Sequence, residues 1–121
     1  MQTLSAVQSA RQSTLRSLNL RLVVDAVFAQ PGAMTRADIA QATGMTRSTV
    51  SRLVDQLVTG GFLAEDAPVR RSGGGRPGVP LRPAEGTFVT LGLEANVGHL
   101  AGYAVDLSGA ILAHEFVAMD L

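Results

Sequence analysis

Residues 35–55 read TRADIAQATGMTRSTVSRLVD, and the way this stretch folds decides the fold of the chain. Thr35 is a helix N-cap residue with Asp38 three positions on, the spacing of a capping box, and Met34 and Ile39 stand where a hydrophobic staple closes over the entry. Gly44 stops that helix, because a left-handed terminal residue costs glycine little. Thr46 opens a second helix, with Met45 and Val50 again in staple positions. Inside it Val50, Leu53, Val54, Leu57 and Val58 recur at the helical period and form one stripe to bury, until Gly60-Gly61 ends it. Ala40, four residues before Gly44, falls where the two helices cross and only a small side chain fits. Val50 and Leu53, six and nine residues after Gly44, face inward. These spacings predict a helix-turn-helix.

Working outward toward the N-terminus, Leu20, Val23, Val24, Val27 and Phe28 mark one face of a helix that starts near Ser13 and ends at Pro31-Gly32. Residues 1–12 are polar and are expected to form a flexible arm. Beyond the second helix, Phe62-Leu63-Ala64-Glu65 reads as a strand. Val79-Pro80-Leu81-Arg82 is its candidate partner, held to a sheet edge by Pro80. The loop between them, Arg70-Arg71-Ser72-Gly73-Gly74-Gly75-Arg76-Pro77-Gly78, makes the arrangement winged. Pro83 to Gly86 reads as a linker. Phe88–Leu93, Leu100–Val105 and Ile111–Val117 are strand-like, with turns at Asn96-Val97-Gly98 and Leu107-Ser108-Gly109. The expected fold class is α+β: an arm over 1–12, a winged helix-turn-helix domain over 13–83, and over 84–121 a linker with a three-stranded meander too small for its own core.

Composition divides the chain at the same place. The 121 residues carry ten basic and ten acidic side chains. All ten basic ones are arginines, and all lie between Arg11 and Arg82. Five acids share residues 1–83, giving +5 there, and the other five leave residues 84–121 at −5. That asymmetry predicts a basic module with an anionic partner, joined to something different. Cysteine is absent, which excludes disulfides and thiolate sites and is compatible with the cytoplasm. No apolar run approaches the length of a membrane span, and residues 1–5 lack the layout of a secretory signal, so no membrane partner is expected.

An anionic partner and a helix-turn-helix together predict binding to double-stranded DNA. Arg47, Ser48, Ser51 and Arg52 project from one side of the second helix. Thr46 and Thr49, with the free N–H groups of that helix end, can meet phosphate, as can Thr35 and Arg36 at the entry of the first helix. Arg47 and Arg52 can each donate a bidentate pair to a guanine edge or meet phosphate alone, and the sequence leaves both open. Arg70, Arg71 and Arg76 place charge without bulk among glycines. Arg76, between Gly75 and Pro77, suits a narrow minor groove, and its Gly-Arg-Pro surroundings resemble an AT-hook; a basic loop that touches phosphates without preference is the alternative. Gly73, Gly75 and Gly78 also match G-x-G-x-x-G, but that fingerprint needs a helix directly after it, and Pro80 with no helical period follows instead. His99 and His114 read as strand residues without chemistry, and the acids of the tail as solvated faces. No catalytic, cofactor or metal site is expected within the chain.

Asn19-Leu20-Arg21 at the first helix, the helix-turn-helix from Thr35 to Gly61, and Ser72-Gly-Gly-Gly-Arg-Pro77 together resemble transcriptional regulators of the ROK family (repressors, open reading frames and kinases). Leu91-Gly-Leu-Glu94 and Tyr103-Ala-Val-Asp-Leu-Ser-Gly109 resemble the first strands of that family's actin-like sugar-binding domain. The resemblance covers residues 13–121. It implies a DNA-binding repressor, or occasionally an activator, whose downstream domain takes a sugar or sugar-phosphate effector and forms dimers or tetramers. It also implies that Thr46, Arg47, Ser48, Ser51 and Arg52 are groove residues and Arg76 the minor-groove residue. The family's kinase branch carries an Asp-x-Gly-x-Thr phosphate loop. The corresponding Glu94-Ala-Asn-Val-Gly98-His99 lacks its glycines, so the reading is of a non-enzyme. The sugar contacts and Cys/His zinc site of the family are expected beyond Leu121. The rivals are a ROK-family sugar kinase and a basic protein-interaction module.

Overall fold

A computed structural model of the chain describes residues 2–120. The elements run α1 (Gln2–Ala29), α2 (Arg36–Thr43), α3 (Arg47–Thr59), β1 (Leu63–Glu65), β2 (Leu81–Pro83), β3 (Val89–Asn96), β4 (His99–Asp106) and β5 (Ile111–Ala118). The helix-turn-helix forms by the chemistry its sequence carries. The Thr35 hydroxyl accepts from the Asp38 N–H while the Asp38 carboxylate accepts from the Thr35 N–H at 2.9 Å, completing the capping box. Gly44 sits at φ +76 and its N–H bonds the Ala40 carbonyl. Thr46 caps α3 by accepting from the Thr49 N–H.

One core gathers these pieces. Val23 and Val27 of α1, Ile39 and Ala40 of α2, Val50, Leu53, Val54 and Leu57 of α3, and Leu63 and Leu81 of the two strands are all buried together. Fully burying an aliphatic of this size contributes about 1.5–3 kcal/mol, so the stripe of α3 is its main hold on the body. Val58, at the edge of that stripe, is only partly buried, and Phe28 of the α1 stripe is 37% exposed.

Two expectations are corrected at the ends of this domain. Residues 2–12 are helix and not a flexible arm, since α1 is continuous from Gln2; Met1 of that arm lies outside the described residues. No glycine or proline interrupts residues 2–29, and Gln, Ala, Arg and Leu are good helix formers, so nothing local stops the helix near Ser13. The strand partner also starts two residues later than expected, at Leu81, because Pro80 has no N–H to give a ladder.

The wing sheet is antiparallel, with Leu63 opposite Pro83 and Glu65 opposite Leu81. Met34, in the connection between α1 and α2, bridges Leu81 from the other side: Leu81 N–H donates to the Met34 carbonyl and Gly32 N–H to the Leu81 carbonyl, both at 2.9 Å. Farther out Val69 and Gly78 exchange two backbone bonds, 2.8 and 3.1 Å, and close the loop 70–77 at its base. Gly78 is forced by packing: a Cβ there would lie 2.8 Å from the Thr35 methyl, and Thr35 is itself buried. Gly78→Ala is expected to lower stability by about 1–3 kcal/mol through this overpacking, read as a drop in thermal midpoint. An unchanged midpoint would show that the wing base shifts freely.

β3, β4 and β5 form a separate antiparallel sheet in that order, with Leu91 opposite Ala104 and Tyr103 opposite His114. All of β3 and β5 is exposed. His99 and His114 are strand residues stacked on Phe116 and Tyr103. Asp106 corrects the reading of the tail acids as solvated faces. It is buried and accepts from the Ser108 hydroxyl and from the N–H groups of Gly86, Ser108 and Ala110, which lower its pKa, the Ser108 hydroxyl most. The stretch 83–86 is anchored at its start: Ala84 is buried with its N–H on the Phe62 carbonyl, and beyond it Phe88 stacks on Phe62 at 4.5 Å.

Candidate nucleic-acid interface

The outer face of α3 carries short hydroxyls between two arginines. Arg47, Ser48 and Arg52 are exposed, and Ser51 and Thr49 half-buried. The Thr46 hydroxyl lies 3.1 Å from that of Ser48 and donates to Thr49 Oγ1 at 2.9 Å, so the helix entry is ordered by its own side chains. No glycine or proline interrupts α3, so its 13 residues carry this face along one side of a continuous helix.

The arginines divide into two groups. Arg36 is largely enclosed and reaches Asp55 at 2.6 Å and Glu65 at 2.7 Å, tying α2 to α3 and β1. Burial pulls its pKa down, and the bonds from the two carboxylates more than restore it. Arg71 grips both Asp38 oxygens, at 2.8 and 2.7 Å, and so fastens the wing to the start of α2. Arg82 pairs with Asp66 and Glu85, and Arg21 with Asp25. Every acid of residues 1–83 is thus engaged by an arginine. Among the described residues Arg11, Arg16, Arg47, Arg52, Arg70 and Arg76 have no carboxylate partner, and the last four of these lie on α3 and the wing.

The structure therefore splits the candidate set. Thr46, Arg47, Ser48, Thr49, Ser51 and Arg52 come together on α3, and Arg70 and Arg76 stand on the wing beside them in sequence order. Thr35 is buried with its hydroxyl on Asp38, and Arg36 and Arg71 are engaged inside the domain. These three hold the frame. The capping box of Thr35 is marked by its local spacing, whereas the roles of Arg36 and Arg71 are not, because their partners lie 19 to 33 residues away. On α1, Gln12, Arg16 and Asn19 line a cleft with Thr49, Arg52 and Gln56 that sequence reading missed, and Arg16 donates to Gln56 at 2.6 Å.

The clamp on Asp38 is measurable. The Arg71 guanidinium, and to a lesser degree Thr35, hold this carboxyl at about 2 instead of 3.8. A depressed carboxylate pKa adds stability that is complete above the ordinary range and disappears as pH falls through about 2. The carboxyl titration followed by NMR is expected to move up toward 3.8 in Arg71→Ala; an unmoved midpoint would mean that the pair does not form in solution.

The glycines of the wing permit its path: Gly73, Gly74 and Gly75 all have positive φ. After Gly78 comes strand β2, not a helix, so the G-x-G-x-x-G match lacks the geometry of a dinucleotide site.

Comparison with known proteins agrees with this geometry. Residues 22–67 match the IclR helix-turn-helix domain. A ROK-family transcriptional regulator, described as a homologue of the E. coli MLC protein, superposes with a TM-score of 0.59 at 17% identity over 86% of this chain and 26% of its own. The likeness shows that the chain shares the fold of the corresponding part of that regulator. It is 35% identical over 105 residues to a transcriptional regulator of Mycobacterium bovis (86% of this chain, 22% of the relative). It is 27% identical over 106 residues to the xylose repressor of Bacillus spizizenii (88% and 27%) and 38% identical over 102 residues to an uncharacterized protein of Sinorhizobium fredii (84% and 25%). The chain spans about a quarter of the length of these relatives. Among the described residues no helix is long and apolar enough to cross a membrane.

Proposed function

We propose that the chain is the DNA-binding part of a transcriptional regulator, a repressor of sugar metabolism or transport genes that works in the cytoplasm and is not an enzyme. The observation that carries this reading is the distribution of unneutralised arginine: Arg47 and Arg52 on the outer face of α3, and Arg70 and Arg76 on the wing. α3 enters the major groove, its Thr46 end meets phosphate, and Arg47 and Arg52 reach base edges. Arg76 lies in the adjoining minor groove, where the potential of A·T-rich flanks is most negative. Residues 13–83 are the binding unit, and residues 84–121 the linker and first strands of an actin-like domain that takes a sugar or sugar phosphate and joins protomers into dimers. The xylose repressor and the ROK-type neighbour support that part of the reading.

Selection from randomised duplexes tests it. The chain is expected to enrich a defined motif, with affinity falling steeply as salt rises because neutralised phosphates release counterions. Arg76→Ala is expected to reduce the preference for A·T-rich flanks, by several-fold in affinity, while the core motif persists. Absence of any retardation of duplex at low salt would sink the proposal and favour an acidic protein as the partner.

A further inference from the structure

α1 carries a second apolar stripe that the domain leaves unused. Leu4, Val7, Leu15, Leu18 and Leu22 are between 47% and 76% exposed. At the helical repeat they fall, with Arg11, within an arc of roughly 80°, opposite the side on which Val23 and Val27 enter the core. Their steps of three and four residues are those of a paired-helix seam. Every other residue from Thr3 to Ser17 is Ser, Thr, Gln, Ala or Arg, so the large apolar side chains of this half are confined to the one line. Residues 3–18 are exposed throughout, although most helical stability in proteins comes from tertiary packing of an apolar face. The seam supplies such a face.

We propose that this seam pairs with the same seam of a second copy of the chain. Its five residues expose about 500 Å² on each helix, so a pair that buried them fully would cover about 1,000 Å², the size of a weak, reversible interface. The match is self-complementary, as a two-fold contact requires. Arg11 sets the direction. In a parallel pair Arg11 stacks on Arg11 in the middle of the seam. In an antiparallel pair Leu4 lies opposite Leu22 and Val7 opposite Leu18, and Arg11 falls beside Thr14 and Leu15. The antiparallel pair is therefore the one formed. The contact borders the proposed DNA face, since Leu15 also lines the cleft that holds Thr49 and Arg52, and it is distinct from the sheet of β3, β4 and β5, whose exposed Leu93 and Phe116 offer a rival surface.

Sedimentation equilibrium of the 121-residue chain at micromolar concentration is expected to show a dimer. Val7→Glu with Leu18→Glu should raise its dissociation constant by roughly a hundredfold or more, because the antiparallel pair sets these two positions against each other at two places along the seam. Circular dichroism should retain the unfolding transition of the body, since neither residue belongs to the core. Leu93→Glu, on the sheet, should leave the dimer intact. The absence of cysteine gives a direct reading of direction: a mixture of Leu4→Cys and Leu22→Cys chains is expected to cross-link between the two kinds faster than either cross-links to itself. A monomeric chain, or dissociation by Leu93→Glu but not by the seam variant, overturns the proposal. Faster self-linking of Leu4→Cys overturns the antiparallel arrangement.

Discussion

Arg52→Ala is expected to lower affinity for the selected operator about 5- to 150-fold, the equivalent of one bidentate base contact, while affinity for random duplex falls by only about the factor of a single lost phosphate charge. The reasoning starts from what surrounds the side chain. Arg52 lies on the exposed face of α3 with no carboxylate partner among the described residues, so the free protein does not have to break an ion pair to present it. Arg36 is the contrast. It is on α2, has two carboxylates within 2.7 Å, and its removal leaves Asp55 and Glu65 without their cation. Arg36→Ala should therefore act through the fold, lowering specific and random binding alike and in step with stability. Fluorescence anisotropy on matched operator and scrambled duplexes at two salt concentrations separates the cases. Equal losses on both duplexes for Arg52→Ala, with a salt slope smaller by about 1, would show that Arg52 meets phosphate only.

This division of the arginines is also where sequence reading ran out. The helix-turn-helix was legible because its information is local: Thr35 with Asp38, Ala40 with Gly44, and Thr46 with Thr49 are each within four residues, and the Val50–Leu57 stripe states which face is buried. The meander was legible for a related reason, since its apolar runs are separated by Asn-Val-Gly and Leu-Ser-Gly turns. The ten arginines look alike in sequence. Which of them are spent on Asp38, Asp55, Glu65 and Asp66 depends on how α2, β1 and the wing come together, and no spacing along the chain encodes that. The α1 extension was misread for the opposite reason. Its residues are polar enough to look like an arm, yet they are helix formers with no breaker, and the exposed Leu4–Leu22 line is visible only once the helix is known to be continuous.

Leu81→Ala is expected to cost about 2–5 kcal/mol, the largest stability loss foreseen for a single truncation here. Leu81 is fully buried, faces the α-helices from the wing sheet, and is the residue through which three chain segments meet: Glu65 pairs with it from β1, and Met34 and Gly32 bond its N–H and carbonyl from the α1–α2 connection. A cavity at this point loses transfer energy and also loosens the two-stranded sheet at the root of the wing. Small domains have stabilities of about 5–15 kcal/mol, so the variant should retain its fold near 20 °C and melt on the order of 10–20 °C lower. Function should follow temperature. Operator binding is expected to approach that of the unsubstituted chain in the cold and to fail well below its normal limit on warming, whereas the Arg52→Ala defect is present at every temperature at which the domain is folded. A thermal midpoint within about 3 °C of the parent would mean that Val23, Ile39 and Leu63 close over the vacated space, and that the wing takes its position from the Arg71–Asp38 clamp and not from the core beneath it.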